Sequence, residues 1–260
     1  MKKINFLILA NDSIFARVMC KNIVKDTRFN CIAIFLSQKN RTLKSMFNNL
    51  KKTSIKYFFY RLFIQLIFNT FGLNLKNFLK MSKCIAGQSL EVIEKDIDRS
   101  DFVMLINFDI KVNHVLLKKY KRKFINAHAS FLPEYSGISP YFWQWMDERK
   151  VIGITYYFLD EQFDTGEIIY VSEFNINNFT SLFNLHYQLM NTISKEWPVV
   201  LALAQKLINS NSSNKRIKFI KEMYRSFPDK EMVNKMKFSK KIFFNFKSLL
   251  KVIYNEKYKN

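Results

Sequence analysis

Short apolar runs bounded by polar residues alternate along this chain with longer stretches in which apolar positions return every three or four residues. Ile4–Ala10 (INFLILA), Cys31–Leu36 (CIAIFL), Asp101–Ile106 (DFVMLI) and Phe124–His128 have the length and apolar content of buried strands. Between the first two, Asn11-Asp12-Ser13 offers capping side chains and Ile14–Val24 carries helical spacing. A strand, a helix and a strand in that order predict a parallel sheet with helices on its faces. Ile152–Leu159 and Glu167–Phe174 read as two further strands around a turn at Asp164-Thr165-Gly166. From Ser181 to about Leu207 the apolar period is helical, and Pro198 is expected to kink or break that helix. Asn209–Asn214 (NSNSSN) reads as a linker.

Two stretches carry an unusual pattern. Residues 55–79 are apolar except where Arg61, Gln65 and Asn69 recur every four residues, which on a helix makes one narrow polar stripe. A core helix with a thin solvent face fits this pattern, and so does a helix lying on a membrane or a partner. After the linker the tail is basic. Phe238, Ile242, Phe243, Phe246, Leu249, Leu250 and Ile253 fall on one helical face, with Lys240, Lys247 and Lys251 on the other. The expected organisation is a domain over 1–208, with an atypical basic and apolar insertion at 40–80, and a small basic helical extension over 209–260.

Composition narrows the function classes. At 260 residues and 48% hydrophobic content the chain fills a substantial core, which argues against disorder. The net charge of +21 is uneven: +3 over 1–26, +11 over 27–90, −4 over 91–205 and +11 over 206–260. Nucleic acid or an anionic membrane surface would account for the basic flanks. So would an AT-rich genome, which raises Lys, Asn, Ile and Phe together. Three cysteines without a CxxC pair argue against a disulfide framework or a zinc ribbon and suit a reducing compartment. Three histidines without an HExxH pattern give no expectation of a metal site. Met1-Lys2-Lys3 leads into only seven apolar-leaning residues, and no apolar run reaches membrane-spanning length, so a cytoplasmic location is expected. The turn after Ile4–Ala10 has no glycine, which disfavours NAD or FAD binding.

The chemistry lies in residues 124–166. Asn126, His128 and Ser130 alternate at the end of an apolar strand, which puts an amide, an imidazole and a hydroxyl on one face. Leu132-Pro133 and Gly137 turn the chain, and Asp164 sits in a turn able to present a carboxylate to the same cleft. Amide, imidazole and carboxylate together suit acyl transfer to an amine: the first two stabilise a tetrahedral oxyanion, and the carboxylate orients the imidazole and helps move a proton. No Ser or Cys nucleophile with an adjacent base is evident, which favours direct transfer.

Residue by residue, this stretch resembles the folate-dependent formyltransferases, which include glycinamide ribonucleotide transformylase, methionyl-tRNA formyltransferase and the sugar N-formyltransferases. Their Asn-x-His-x-Ser-x-Leu-Pro motif stands here as Asn126, His128, Ser130 and Leu132-Pro133. Tyr135, Gly137 and Pro140, then Gly153 and Thr155, then Asp164 and Gly166 come in the family's order. Asp147-Glu148 replaces an Asn-Gly pair and Ile152 a Thr, both in a surface turn. The resemblance is sharp over residues 101–175 and looser over 1–36 and 181–207. It implies an α/β, Rossmann-like, mostly parallel open sheet with the active site at the strand ends. It assigns catalysis to Asn126, His128 and Asp164, with N10-formyltetrahydrofolate as co-substrate and no metal. Folate would lie against Ile106, Asn107 and Leu159; Ser130 would hold the Leu132-Pro133 turn by a backbone hydrogen bond; and Pro133, Gly137 and Gly166 would shape the site.

The acceptor separates the family's branches. A methionyl-tRNA formyltransferase adds a β-barrel domain, whereas the tail here reads as helices, so nucleic acid is not the expected partner. A glycinamide ribonucleotide transformylase begins with a glycine-rich turn, where this chain has Ala10-Asn11-Asp12-Ser13. The remaining branch implies a nucleotide-linked aminosugar, for surface polysaccharide assembly, with Tyr135, Tyr141 and Trp143 among the aromatic residues walling it. Formylation of another small amine or a lipid-linked aminosugar, and an idle membrane-associated scaffold, are the alternatives. The basic flanks suggest peripheral contact with the inner face of the cytoplasmic membrane, and a homodimer remains open.

Overall fold

A computed structural model describes residues 3–38, 53–78, 82–86, 90–238 and 240–258. Its strands are β1 (Ile4–Asn11), β2 (Phe29–Gln38), β3 (Ser82–Ala86), β4 (Phe102–Ile106), β5 (Phe124–His128), β6 (Val151–Leu159), β7 (Gly166–Asn175) and β8 (Arg216–Ile217). They form one sheet in the order β3-β2-β1-β4-β5-β6-β7-β8. The pairings from β3 to β5 are parallel, and those from β5 to β8 are antiparallel. The expected Rossmann-like, mostly parallel open sheet is therefore present. The segments read as strands from their apolar runs all fall within it, and the sheet adds β3 and β8, whose two to five residues carry too little pattern to read.

Alternation along β1 builds a layer on each side of the sheet. Phe6, Ile8 and Ala10 enter one core with the helices α1 (Ile14–Lys25), α2 (Ile55–Thr70) and α7 (Leu182–Asn209). Leu7 and Leu9 enter the other with α4 (Glu94–Arg99) and α5 (His114–Lys119). Between these lie the single turn α3 (Leu75–Phe78) and α6 (Pro140–Met146). Ser13 caps α1 by accepting from the Ala16 amide at 3.1 Å, as the Asn-Asp-Ser run suggests.

Three expectations need correction. Pro198 does not divide α7, which runs unbroken for 28 residues. A proline in a helix interior costs about 3 kcal/mol, and here the long buried stripe from Leu182 to Ala204 offsets it. The 55–79 stretch is not one helix: Gly72, at φ 66°, adopts the left-handed conformation that ends α2. Its amide donates to the Asn69 carbonyl, and the Leu73 amide reaches back to Phe68 at 2.8 Å, satisfying carbonyls the helix end leaves open. Nor is the solvent face of α2 a polar stripe. Tyr57, Tyr60, Ile64 and Phe68 point inward, and Ile55, Phe59 and Leu66 are exposed beside Arg61 and Asn69. The rest of the 40–80 insertion, at 40–52 and 79–80, lies outside the described residues.

The single helical face read over 238–253 is also interrupted. Helix α8 spans Lys230–Phe238 and α9 spans Phe246–Tyr258. From Lys240 to Asn245 the chain is not helical, and its carbonyls serve another helix: Ile242 and Phe243 accept from the Leu182 and Phe183 amides at 2.9 Å, satisfying the first turn of α7. Leu249, Val252 and Ile253 join the main core, while Phe246 and Leu250 stay outside. Glu256 fixes α9 in place. Its carboxylate is buried, 3.1 Å from Lys21 Nζ, and accepts from the Tyr187 hydroxyl at 2.6 Å; Arg17 donates to its backbone carbonyl at 2.8 Å.

These contacts carry measurable stability. Glu256→Ala leaves a buried Arg17 and a half-buried Lys21 without their anion and should cost about 3–5 kcal/mol, read from the shift of the urea midpoint. His186 on α7 is stacked between Phe15 at 3.6 Å and Tyr141 at 4.2 Å. Burial, with the Arg61 charge adding to it, pushes its imidazole down to about 3. The unfolded chain binds that proton near 6.5, so this contribution to stability is full above that pH and is lost as pH falls toward 3. Urea unfolding at pH 7 and 4.5 should show the loss, and His186→Phe should reduce it.

Candidate active site

The parallel strands β4 and β5 pair Leu105 with Asn126, so Ile106 and Asn107 leave β4 at the edge where β5 presents Asn126 and His128. On the other side β6 runs antiparallel, with Tyr157 opposite Asn126 and Thr155 opposite His128. Cross-strand pairs on one face bring these four side chains together. The loop from Asp160 to Thr165 then returns Asp164 to the end of β5, with Asp164 itself at φ 52°.

Asp164 is the hub. Its Oδ2 accepts from the Gly137 amide at 2.6 Å, its Oδ1 accepts from the Tyr157 hydroxyl at 3.1 Å, and the same oxygen lies 3.4 Å from His128 Nδ1. His128 is buried, and its Nε2 faces the Tyr135 carbonyl at 3.0 Å. Both ring nitrogens therefore face oxygen acceptors, and a doubly protonated ring donates to both. Asn126 is half-buried and donates one amide N–H to Tyr157 at 2.9 Å. The structure thus brings together the three residues expected to carry catalysis.

Gly137 can serve Asp164 only as glycine. Its φ is 99°, and a Cβ there would stand 2.3 Å from the Arg225 carbonyl. That close approach is a pairing with the C-terminal segment: Ile138 donates to Arg225 and Arg225 donates to Ser136, each at 2.8 Å. Pro133 follows a cis bond to Leu132, and Gly166 opens β7 opposite Leu159.

Other expected residues sit differently. Ser130 is fully buried, but the hydroxyl that holds the turn belongs to Thr155, which donates to the Ser130 carbonyl at 2.6 Å and accepts from the Leu132 amide at 3.1 Å. The Ser130 hydroxyl finds no partner among the described residues, because β5 ends at His128 and strand alternation no longer aims it at the cleft. Tyr135, Tyr141 and Trp143 do not form a wall around an acceptor. Tyr135 donates to Asp147 at 2.9 Å and its ring lies between the Arg149 and Arg225 guanidiniums; Trp143 donates to the Ile138 and Ser226 carbonyls; Tyr141 stacks on His186. Helix α6 turns its aromatic residues toward the core, where burying them gains more than exposing them. Of the residues expected at folate, Ile106 is fully buried, Asn107 is exposed at φ 50°, and Leu159 is half-buried. Leu159 and Asp160 line a cavity of about 310 Å³ with Leu117, Lys118, Lys121 and Arg122, and none of the trio reaches it. Among the described residues no group of His, Cys, Asp or Glu is placed to hold a metal ion.

Two residues at the site escaped the sequence reading. Tyr157 was hidden in a tyrosine pair whose two members alternation sends to opposite faces: Tyr156 enters the main core and donates to Glu196 at 2.6 Å, and Tyr157 faces the trio. Arg225 lies 88 positions beyond Gly137, and no local signal marks it.

Comparison with known proteins agrees with this geometry. Residues 86–200 match the formyl transferase family. These residues are a formyl transferase domain. The methionyl-tRNA formyltransferase of Clostridium tetani is 29% identical over 132 residues, covering 51% of this chain and 42% of that protein. That of Finegoldia magna is 30% identical over 90 residues, covering 35% and 29%. The matches thus span less than half the length of these relatives. The phosphoribosylglycinamide formyltransferase from Anaplasma phagocytophilum shares the fold at a TM-score of 0.57 and 14% identity, covering 86% of this chain and 99% of that one. A sugar N-formyltransferase from a Shewanella species does so at 0.53 and 15%, covering 86% and 76%.

Proposed function

We propose that this formyl transferase domain moves a formyl group from N10-formyltetrahydrofolate to the amine of a nucleotide-linked aminosugar. The observation that carries the transfer is the connected set at the end of β5: Asn126, Tyr157 and Asp164 joined by hydrogen bonds, with His128 Nδ1 3.4 Å from the Asp164 carboxylate. The bound folate would supply an activated formyl carbon. Asn107, polar and exposed, follows β4 at the edge where β5 presents the trio, and Leu159, apolar and half-buried, ends β6 two residues beyond Tyr157; one would take the edge and the other the face of a flat heterocycle. Asn126 has a second amide N–H for the formyl oxygen as it gains charge. The His128–Asp164 pair accepts the proton that the attacking nitrogen loses and returns one to the departing folate nitrogen. A nitrogen–carbon bond forms at the acceptor and another breaks at the donor, with no covalent enzyme intermediate.

The chain beyond α7 is built onto the domain: Arg225 pairs with the catalytic loop, Ile217 packs against Tyr157 and Leu132, and α9 enters the core. A sugar N-formyltransferase is among the proteins of shared fold. Purified protein should release tetrahydrofolate from the formyl donor when given an aminosugar nucleotide. His128→Ala or Asp164→Asn should lower kcat at least about 10²-fold, and Asn126→Ala by about 10²–10³-fold, with circular dichroism unchanged. Turnover with methionyl-tRNA and with no aminosugar nucleotide would overturn the acceptor; wild-type kcat in the His128 variant would overturn the mechanism.

Contact with an anionic membrane surface belongs to the same proposal. No helix among the described residues is long and apolar enough to cross a membrane. Two contacts bring the neighbourhoods of α2 and α9 together: Phe63 stacks at 4.9 Å on Phe244, just before α9, and Lys257 lies 5.7 Å over Phe71, just after α2. Ile55, Phe59 and Leu66 on α2 and Phe246, Leu250 and Tyr258 on α9 are each more than half exposed, among Lys247, Lys251 and Lys257. Glu256, the one carboxylate on the two helices, is buried. Lysines beside exposed aromatic residues, with no exposed acid, complement anionic headgroups, at about 1 kcal/mol per cation. The protein should sediment with anionic vesicles at low salt and stay in solution with neutral ones, and Phe246→Ser with Leu250→Ser should weaken the binding. Equal recovery in all supernatants would remove this part of the proposal.

A further inference from the structure

We propose that Tyr157 is the positioning residue of the site, its hydroxyl setting which way the Asn126 amide points and holding Asp164 against His128. This rests on the catalysis proposed for the trio and adds to it a residue that the expected trio does not contain. The phenol oxygen has one proton and two neighbours within hydrogen-bond reach, Asp164 Oδ1 at 3.1 Å and Asn126 Nδ2 at 2.9 Å. A carboxylate only accepts, so the phenol proton goes to Asp164. The phenol oxygen is then left as an acceptor, and Asn126 has to turn N–H toward it. The opposite flip of the amide would set its carbonyl oxygen against the phenol oxygen, two acceptors in contact inside a buried pocket, at the cost of an unmade hydrogen bond. With one N–H fixed on Tyr157, the second lies in the amide plane and points away from it, available to a reacting carbonyl.

The surroundings keep this arrangement in one state. Tyr157 is 2% exposed, and its ring packs with Leu132 and Ile217, which come from the turn after β5 and from β8. Burial first, and the facing Asp164 charge next, push the phenol well above its ordinary range, so it remains a donor wherever the site works. Asp164 is in turn anchored from a second direction by the Gly137 amide. The polarity of the catalytic amide is thus passed along a chain from backbone to carboxylate to phenol to Asn126.

Tyr157→Phe removes one oxygen and keeps the ring. The amide is then free to flip, and kcat should fall about 10–100-fold while KM for the amine stays within about twofold. The Asn126 side-chain amide, read by NMR of its Nδ2 protons in the free protein with no acceptor present, should lose the protection from hydrogen exchange that the bond to Tyr157 gives it, so it reads the positioning role even if the aminosugar assignment fails. Ile217→Ala is the packing control: it loosens the same ring without touching the hydroxyl, and should lower the melting temperature while leaving the Asn126 amide signals in place. A Tyr157→Phe protein with kcat within twofold of wild type and unmoved Asn126 amide signals would overturn the proposal. So would the same change in both variants, which would make Tyr157 a packing residue only.

Discussion

The Asp164 carboxylate needs donors, and much of the site exists to supply them. It stands at the end of a loop, partly withdrawn from water, with its charge shared among the Gly137 amide, the Tyr157 hydroxyl and the His128 ring. A carboxylate so placed is costly unless its lone pairs are met. Each donor comes from a different element: the turn after β5, strand β6 and strand β5. Satisfying one carboxylate therefore locks three pieces of chain into register, and the register brings Asn126, His128 and Asp164 together.

The C-terminal segment acts on that carboxylate at one remove. Arg225 pairs with Ser136 and Ile138 on both sides of Gly137, which holds the Gly137 amide toward Asp164. Ile217 buttresses the ring that carries the Tyr157 hydroxyl. Farther along, Ile242 and Phe243 close the amides at the start of α7, and Glu256 neutralises Arg17 and Lys21 against the same core. A segment that reads as a basic appendage contributes its backbone and its one buried acid to the domain, while many of its lysines stay in solvent.

Those lysines and the exposed aromatic residues beside them have no role in the core, so the basic charge of the described C-terminal residues lies mostly in solvent. On α2 the side chains that matter for folding are Tyr57, Tyr60, Ile64 and Phe68; Ile55, Phe59 and Leu66 face outward. The outward side of the helix mixes these apolar residues with Arg61 and Asn69.

The trio Asn126, His128 and Asp164 was legible because short motifs with fixed spacing, Asn126-x-His128 and Asp164-x-Gly166, state residue type and local turn together. The central strands were legible because β1, β4 and β5 are buried on both faces and read as plain apolar runs. Whatever depended on pairing across long sequence distance was not legible. No local signal says that Tyr157 rather than Tyr156 faces Asn126, since that is a matter of register between β5 and β6, where a slip of one residue would exchange them. Thr155 replaces Ser130 as the keeper of the turn for the same reason. Tyr135, Tyr141 and Trp143 looked like a binding wall because aromatic residues serve surfaces and cores alike, and only the packing of α6 and of the turn before it shows which. The sequence by itself determined which atoms can do the chemistry; the tertiary structure decided which hydrogen bonds orient them, because those bonds join groups that meet only after the sheet has closed.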